Sequence, residues 1–334
     1  MALKPHVLLS GFADECAINK TAVEELAVFA ALGLEYYSIR FVDVGGGIKN
    51  VMKLDKTELD RLADLHAAYG MKVATIGSPI GKVKLRDVDD GSSNAYVPFD
   101  KYLEGDVMHA IHLAQRFDTK LIRGFSFYPP RGQDPAPFFP QAVDQLGKIA
   151  DRCKREGVIF GLEIEANLMG NTGESMAQLY DQVANPAMVL IFDGGNLSSQ
   201  NFPPHRCVEE YHKMRHGIGW IHVKDYKIDP KLEWHGFVDE ERIKNFVPCN
   251  QGDSGHEEIF RDLRQRLPEM NAKMQALGAP GVFLDLEPHL KGGGQFGGFS
   301  GPDGMGVAFR ALCSLLDYTG ISYSVRDFKD IKKM

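Results

Sequence analysis

Four times along this chain a short apolar run ends on a side chain that can hold a metal ion. Val158-Ile-Phe-Gly-Leu162 leads into Glu163, with Glu165 two positions on. Met188-Val-Leu-Ile-Phe192 ends on Asp193, Ile218-Gly-Trp-Ile221 on His222, and Val282-Phe-Leu-Asp-Leu286 on Glu287. A strand that is apolar along its length and charged at its C-terminal end is buried on both faces and opens into a site, as parallel barrel strands do. Asp193 follows Glu163 by 30 residues and His222 follows Asp193 by 29, each the length of one strand–helix unit. Residues one unit apart occupy equivalent places on a rim. The spacing therefore predicts that Glu163, Asp193, His222 and Glu287 converge on one divalent cation.

The rest of the chain supplies the other units. His6 to Phe12 reads as a first strand. Thr21-Ala-Val-Glu24 is a capping box for a helix that stops at Gly33. Tyr36 to Val44 is the second strand, with Arg40 near its end, and Asp55-Lys-Thr-Glu58 starts a helix that stops at Gly70. Lys72 to Ser78 is the third strand, followed by Pro79-Ile-Gly-Lys-Val83 and an irregular polar loop over 84–97. A helix over 99–117, a fourth strand over 120–127 and a helix over 138–156 precede the fifth strand. Helices are expected near 174–184, 208–213, 257–277 and 307–318, with a basic tail after the last. Strands seven and eight stand unusually far apart: 60 residues separate His222 from Val282. Residues 229–255 are read as an insertion over the barrel mouth. Eight alternations without a linker break make one α/β domain over 1–334, a (β/α)8 TIM barrel. A doubly wound sheet would carry a glycine-rich turn after its first strand, and Ser10-Gly-Phe-Ala-Asp14 is not one.

Composition excludes several function classes. The chain has 334 residues, 44% of them hydrophobic and 25% charged, enough for a large core. A net charge of −7 argues against a nucleic-acid partner. The five cysteines, Cys16, Cys153, Cys207, Cys249 and Cys313, are odd in number and widely spaced. That argues against a disulfide framework and for reduced thiols. Residues 1–6 do not resemble a signal peptide, and no apolar run approaches membrane-spanning length. The expectation is a cytoplasmic protein with no membrane partner.

Three carboxylates and one imidazole form a hard, oxygen-rich donor set. It favours Mn²⁺ first, with Mg²⁺ or Co²⁺ next, over a structural Zn²⁺ cage, Zn²⁺ remaining an alternative. Such an ion polarises a sugar carbonyl and its neighbouring hydroxyl. A flanking carboxylate, Glu163 or Glu287, can then remove the proton beside the carbonyl.

The ordered motifs Ile76-Gly-Ser-Pro-Ile-Gly-Lys-Val83, Phe125-Ser-Phe-Tyr128, Leu162-Glu-Ile-Glu165, Phe192-Asp-Gly-Gly-Asn196, Ile221-His-Val-Lys-Asp225, Leu286-Glu-Pro-His289 and Gln295-Phe-Gly-Gly-Phe-Ser-Gly301 span nearly the whole chain. Together they resemble the xylose isomerase-like TIM-barrel family of sugar (phosphate) isomerases and epimerases. The resemblance implies a metal held by Glu163, Asp193, His222 and Glu287, with Glu163 and Glu287 as the acid–base pair. It also implies Lys82, Arg40, Lys224 and His289 near the substrate. Two positions depart from the family's ketose 3-epimerases: Asn196 stands where they carry a histidine, and Ile228 where they carry an arginine. The free ketose is therefore not carried over as substrate. The barrel is also similar to endonuclease IV, whose three-zinc site needs more rim histidines than this chain offers.

Three functions follow as expectations. The first is a metal-dependent isomerase or epimerase of a sugar or sugar derivative, unphosphorylated because no phosphate cradle is evident. The second is a lyase or C-glycoside deglycosidase that expels the aglycone from a 3-oxo-glycoside, with a homo-oligomer or a small partner subunit. The third is a barrel that binds a ligand without catalysis. Several residues carry a plainer reading beside the functional one. Glu165 reads as a rim salt-bridge residue, Lys82 equally as a solvated loop lysine, and His289 as a cap on strand eight. Asp225 reads as an ion-pair partner of a neighbouring lysine, and Arg40 and Arg123 as part of a charge ring inside the barrel. His109 and His112 read as ordinary helix residues. The glycine-rich stretch 291–301 reads as a lid.

Overall fold

The protein is described by a computed structural model covering residues 4–290, 300–327 and 329. Most of the glycine-rich stretch, residues 291–299, lies outside these described residues, and so does the lid reading placed on it.

Eight strands form one parallel sheet: β1 Leu8–Gly11, β2 Tyr36–Ile39, β3 Lys72–Ile80, β4 Leu121–Gly124, β5 Ile159–Glu163, β6 Met188–Asp193, β7 Ile218–Val223 and β8 Phe283–Leu286. They neighbour one another in chain order from β2 to β8, and β8 pairs with β1. A parallel bridge between Phe12 and Ser38 brings β1 to β2, so the barrel is nearly closed. Helices α1 Ala22–Ala31, α2 Lys56–Tyr69, α3 Met108–Arg116, α4 Phe139–Glu156, α5 Gly173–Val183, α6 Pro204–Met214, α7 His256–Ala276 and α8 Gly301–Thr319 wrap it. No described helix is long and apolar enough to cross a membrane.

Local chemistry sets the element ends. Asp55 and Glu58 make a full capping box on α2, which stops where Gly70 turns left-handed at φ 58°. On α1 the box expected at Thr21 is half made. Thr21 accepts from the Glu24 amide, while the Glu24 carboxylate accepts from Asn19 instead. The second strand is also shorter than its sequence suggests. It ends at Ile39, and the chain leaves the barrel as an antiparallel ribbon of Phe41–Asp43 against Ile48–Asn50. The break falls at Arg40, whose side chain is buried among carboxylates. Helix α6 is longer than read, and a short helix at Gly194–Ser198 follows β6 directly.

Alternation along the strands aims Glu163, His222 and Glu287 at the barrel axis, with Gly161, Trp220 and Asp285 one layer below. Trp220 is fully buried, and a Cβ on Gly161 would lie 2.0 Å from its ring. Glycine on β5 thus makes room for the indole that floors the site. Beside it Ser38 donates to both oxygens of Asp285, at 3.0 and 2.9 Å, so the lower layer is partly polar.

The long connection between β7 and β8 has its own small core. Asp225–Tyr226 pairs with Phe246–Val247, and Tyr226, Ile243 and Phe246 pack with Ile228 and Val238. Arg242, 1% exposed, fastens the connection by donating to the carbonyls of Ser199 (2.8 Å) and Leu232 (2.7 Å).

Candidate metal centre

The four strand-end residues meet. One donor atom each from Glu163, Asp193, His222 and Glu287, all buried, lies within 4.8 Å of the others. They come from the ends of β5, β6 and β7 and from the residue after β8. The parallel registers set Asp193 beside His222 and Asp285 beside His222 across neighbouring strands.

Contacts inside the group show which atoms face inward. His222 Nδ1 lies 3.1 Å from Glu163 Oε1, 3.8 Å from Glu287 Oε2 and 4.0 Å from Asp193 Oδ2. The Lys224 ammonium stands 2.8 Å from Asp193 Oδ2 and 3.0 Å from Glu287 Oε2. A cation thus already bridges two of the carboxylates. The donor set fits a divalent ion by this test: its oxygens converge, its imidazole nitrogen faces them, and they hold positive charge. Metal–ligand bonds of about 2.0–2.2 Å close the span with small side-chain shifts.

Surrounding cations decide the charge state of each carboxylate. Burial pushes Glu163 up, but His222 and Arg123 outweigh it and hold it at about 2. Burial likewise opposes ionisation of Glu287, and Lys224, Arg40, His289 and His222 together hold it well below the usual range. Asp193 goes the other way: burial raises it to about 6 against the pull of Lys224. His222 is pushed down by burial and up by Glu163 and Glu287, and ends above its ordinary value.

The remaining expected residues fall around one cavity of about 450 Å³ at this mouth, lined by Arg40, Lys82, Lys224 and His289 as well as Glu163 and Glu287. Arg40 pairs with Glu287, Asp14 and Glu15. Lys82 pairs with Glu165 at 2.9 Å and lies 4.2 Å from the centre of the Phe125 ring, so Glu165 is the rim ion-pair residue its position suggests. His289 Nδ1 lies 2.8 Å from Glu15 Oε1. Arg123 reaches Glu163 at 3.5 Å. Asn196 donates to Glu163 Oε1 at 3.2 Å and to the Ile164 carbonyl at 3.0 Å. Ile228 instead packs in the apolar cluster of the β7–β8 connection.

Asp225 corrects its reading. Its carboxylate accepts from the amides of Tyr226, Gly252 and Ser254 and faces His256 at 3.4 Å; its partners are backbone and a histidine rather than a lysine. It closes the base of the connection and lies outside the metal group. Asp14 and Glu15 escaped the sequence reading. They follow β1 in a single turn, Ala13–Glu15, and are fully buried. Their place just past the first strand's C-terminal end is visible in the sequence, but nothing local distinguishes a buried acidic pair from a solvated turn.

The model of a family described as the xylose isomerase-like TIM barrel matches residues 26–267. No curated protein matches the chain. Among solved structures, a xylose isomerase-like TIM barrel protein from Mycobacterium smegmatis in complex with magnesium is 17% identical. The match covers 95% of this chain and 98% of that one, with a TM-score of 0.61. The probable 3-DHS dehydratase of Bacillus anthracis is 16% identical over 92% of this chain and 99% of its own, TM-score 0.61. A D-allulose 3-epimerase from Methylomonas sp. is 14% identical over 95% and 100%, TM-score 0.58. At these identities the likeness is one of fold.

Proposed function

Because the chain belongs to the xylose isomerase-like TIM-barrel family, we propose that it is a divalent-metal-dependent isomerase or epimerase of a sugar or sugar derivative, working by proton transfer beside a carbonyl. The observation that carries this reading is the convergence of four buried donor atoms within 4.8 Å, with Glu163 and Glu287 of the group lining a substrate-sized cavity.

Glu163, Asp193, His222 and Glu287 would hold the ion, with Mn²⁺ the first choice for so oxygen-rich a set; when bound it polarises a carbonyl and the neighbouring hydroxyl. Glu163 and Glu287 are the acid–base pair. Both are held in the ionised form that can accept a proton. As one of them takes the proton, the C–H bonding pair moves into the carbon–carbon bond and the carbonyl oxygen takes the charge. Lys224 and Arg40, already beside Glu287, stand where that charge is stabilised. Return of a proton from the opposite face inverts the carbon, which is epimerisation. Return to the adjacent carbon, with the hydroxyl proton passing to the former carbonyl oxygen, moves the carbonyl, which is isomerisation. Lys82 and His289 complete the polar lining that orients the substrate hydroxyls.

A second reading has its own support. The two positions where the family's ketose 3-epimerases carry histidine and arginine are Asn196 and Ile228, and Ile228 is packed in an apolar cluster where it reaches no hydroxyl. On a 3-oxo-glycoside, the same abstraction takes the proton between the ketone and the anomeric carbon. The electron pair forms the new double bond, and the aglycone departs with the pair of its own bond.

Incubation with Mn²⁺ in D₂O, read by NMR, tests both. Deuterium beside the carbonyl of a ketose, without release of a leaving group, is the expected result. Aglycone release from a 3-oxo-glycoside assigns the lyase reading. No incorporation with any divalent metal removes catalysis and leaves a binding barrel. Glu287→Gln should lower turnover at least ~100-fold, far more than the lost pairing with Arg40 and Lys224 lowers stability, with circular dichroism showing the fold retained. Retained turnover refutes its role.

A further inference from the structure

The cavity has two chemically distinct halves. One half is charged: Glu163 and Glu287 of the metal group form its floor with Arg40 and Lys224. The aromatic lining of the other, outer half is Tyr128 together with Trp234, Phe237 and Phe246 of the β7–β8 connection, while the Phe125 ring beneath is covered by Lys82 and Arg123. Phe237 lines the cavity yet is 58% exposed, an energetic cost that a bound apolar group would relieve. Trp234 is held from behind by Arg242, whose guanidinium lies 5.3 Å from the centre of its ring. Phe246 is braced edge-on by His289, with ring centres 5.0 Å apart. Asn167, just past β5, donates at 2.6 Å to the carbonyl of Gly236, which seats the Trp234–Phe237 segment over the mouth. A volume of about 450 Å³ falls within the ~300–1,000 Å³ of sites that enclose drug-sized ligands.

We propose that this outer half is an aromatic subsite, and that the substrate is a 3-oxo-glycoside, as in the second reading above, whose oxidised sugar sits at the floor while a planar aromatic aglycone lies between Trp234 and Phe237 and the Tyr128 side. The placement of the sugar rests on the metal-centred reading above; the aromatic wall does not. Aromatic rings pack offset or edge-on against one another, so a flat aglycone gains contact area that a methyl group in the same place cannot. The ordering cost is low because Arg242, His289 and Asn167 already fix most of the wall.

Calorimetric titration of the Mn²⁺-loaded protein tests this with paired probes: the 4-nitrophenyl and methyl β-D-glycosides of glucose, galactose and xylose. For at least one sugar the aryl glycoside should bind tenfold or more tightly than its methyl partner. Phe237→Ala, a surface change that leaves the core untouched, and Trp234→Ala should each cut that ratio severalfold while methyl-glycoside affinity and metal content hold. Equal affinity of aryl and methyl partners, no binding of either, or a ratio unchanged in both variants overturns the subsite. A preserved ratio in a protein that exchanges no deuterium sinks the proton-transfer reading and leaves the subsite standing.

Discussion

Lys224 shows how much a single side chain carries in this molecule. Its ammonium lies within 3.0 Å of two carboxylates that the metal would use. Its stem runs against Gly195, where a Cβ would come 2.5 Å from Lys224 Cγ, so the glycine fixes the lysine's course. An ion on Asp193 and Glu287 therefore shares oxygens with this ammonium and is repelled by it. Two unit charges about 4 Å apart cost each other a few kcal/mol even in a well-screened site. Lys224→Met should tighten Mn²⁺ binding roughly tenfold or more. In chelator it should destabilise the protein by about 3–5 kcal/mol, because buried Asp193 loses its lysine and Glu287 is left with Arg40. Calorimetric titration and urea unfolding measure the two effects; unchanged or weaker metal binding would show that ammonium and ion occupy separate places. The four converging side chains were legible in the sequence because each closes an apolar run. Lys224 was nameable only by resemblance. Asp14 and Glu15 were not read at all, since a buried acidic pair in a turn looks like solvated loop until Arg40 arrives from β2.

At the scale of elements, what sequence spacing reveals is length, and what it hides is attachment. The excess between β7 and β8 announced an insertion, and Trp234, Phe237 and Phe246 from it line the cavity. Its fastenings are long-range: Asp225 to the amides of Gly252 and Ser254, and Arg242 back to Ser199. No local pattern encodes such pairs. The second strand was overread for a related reason. Tyr36 to Val44 is apolar enough to continue, but burying Arg40 against carboxylates turns the chain out into a ribbon. The connection's dependence on Arg242 is testable. Arg242→Met keeps the apolar stem and removes donors to Ser199, Leu232 and Asn201. Each orphaned buried carbonyl costs about 1–3 kcal/mol. Amide hydrogen exchange across 229–247 should therefore accelerate at least tenfold while the barrel strands and metal affinity keep their values. Unaltered exchange in that segment would mean that the connection is held by its apolar cluster instead.

For the whole molecule, repetition made the barrel readable: eight strand–helix units of similar length leave few other arrangements. Closure was beyond reach, because β1 and β2 meet through a bridge at Phe12 and Ser38 that no periodicity marks. The ligand arrangement has a consequence at this scale. Glu163, Asp193, His222 and Glu287 belong to four consecutive neighbours in the barrel, β5, β6, β7 and β8, so an ion bound by all four would tie together half of its wall. An unfolded chain scatters these residues over more than a hundred positions and holds the ion poorly. Binding therefore adds to global stability by mass action, about 2.7 kcal/mol at a free-ion concentration 100 times Kd. With an unfolding entropy near 2.1 cal/mol/K per residue, a chain of 334 residues should melt about 4 °C higher. Scanning calorimetry with Mn²⁺ and then with excess chelator should show that rise and its reversal. Asp193→Asn, which keeps the shape but removes a charged ligand, should shrink it strongly. A melting temperature indifferent to Mn²⁺, Mg²⁺ and Co²⁺ alike would mean that the four groups gather around the lysine alone, and the chemistry proposed for the site would fall with that result.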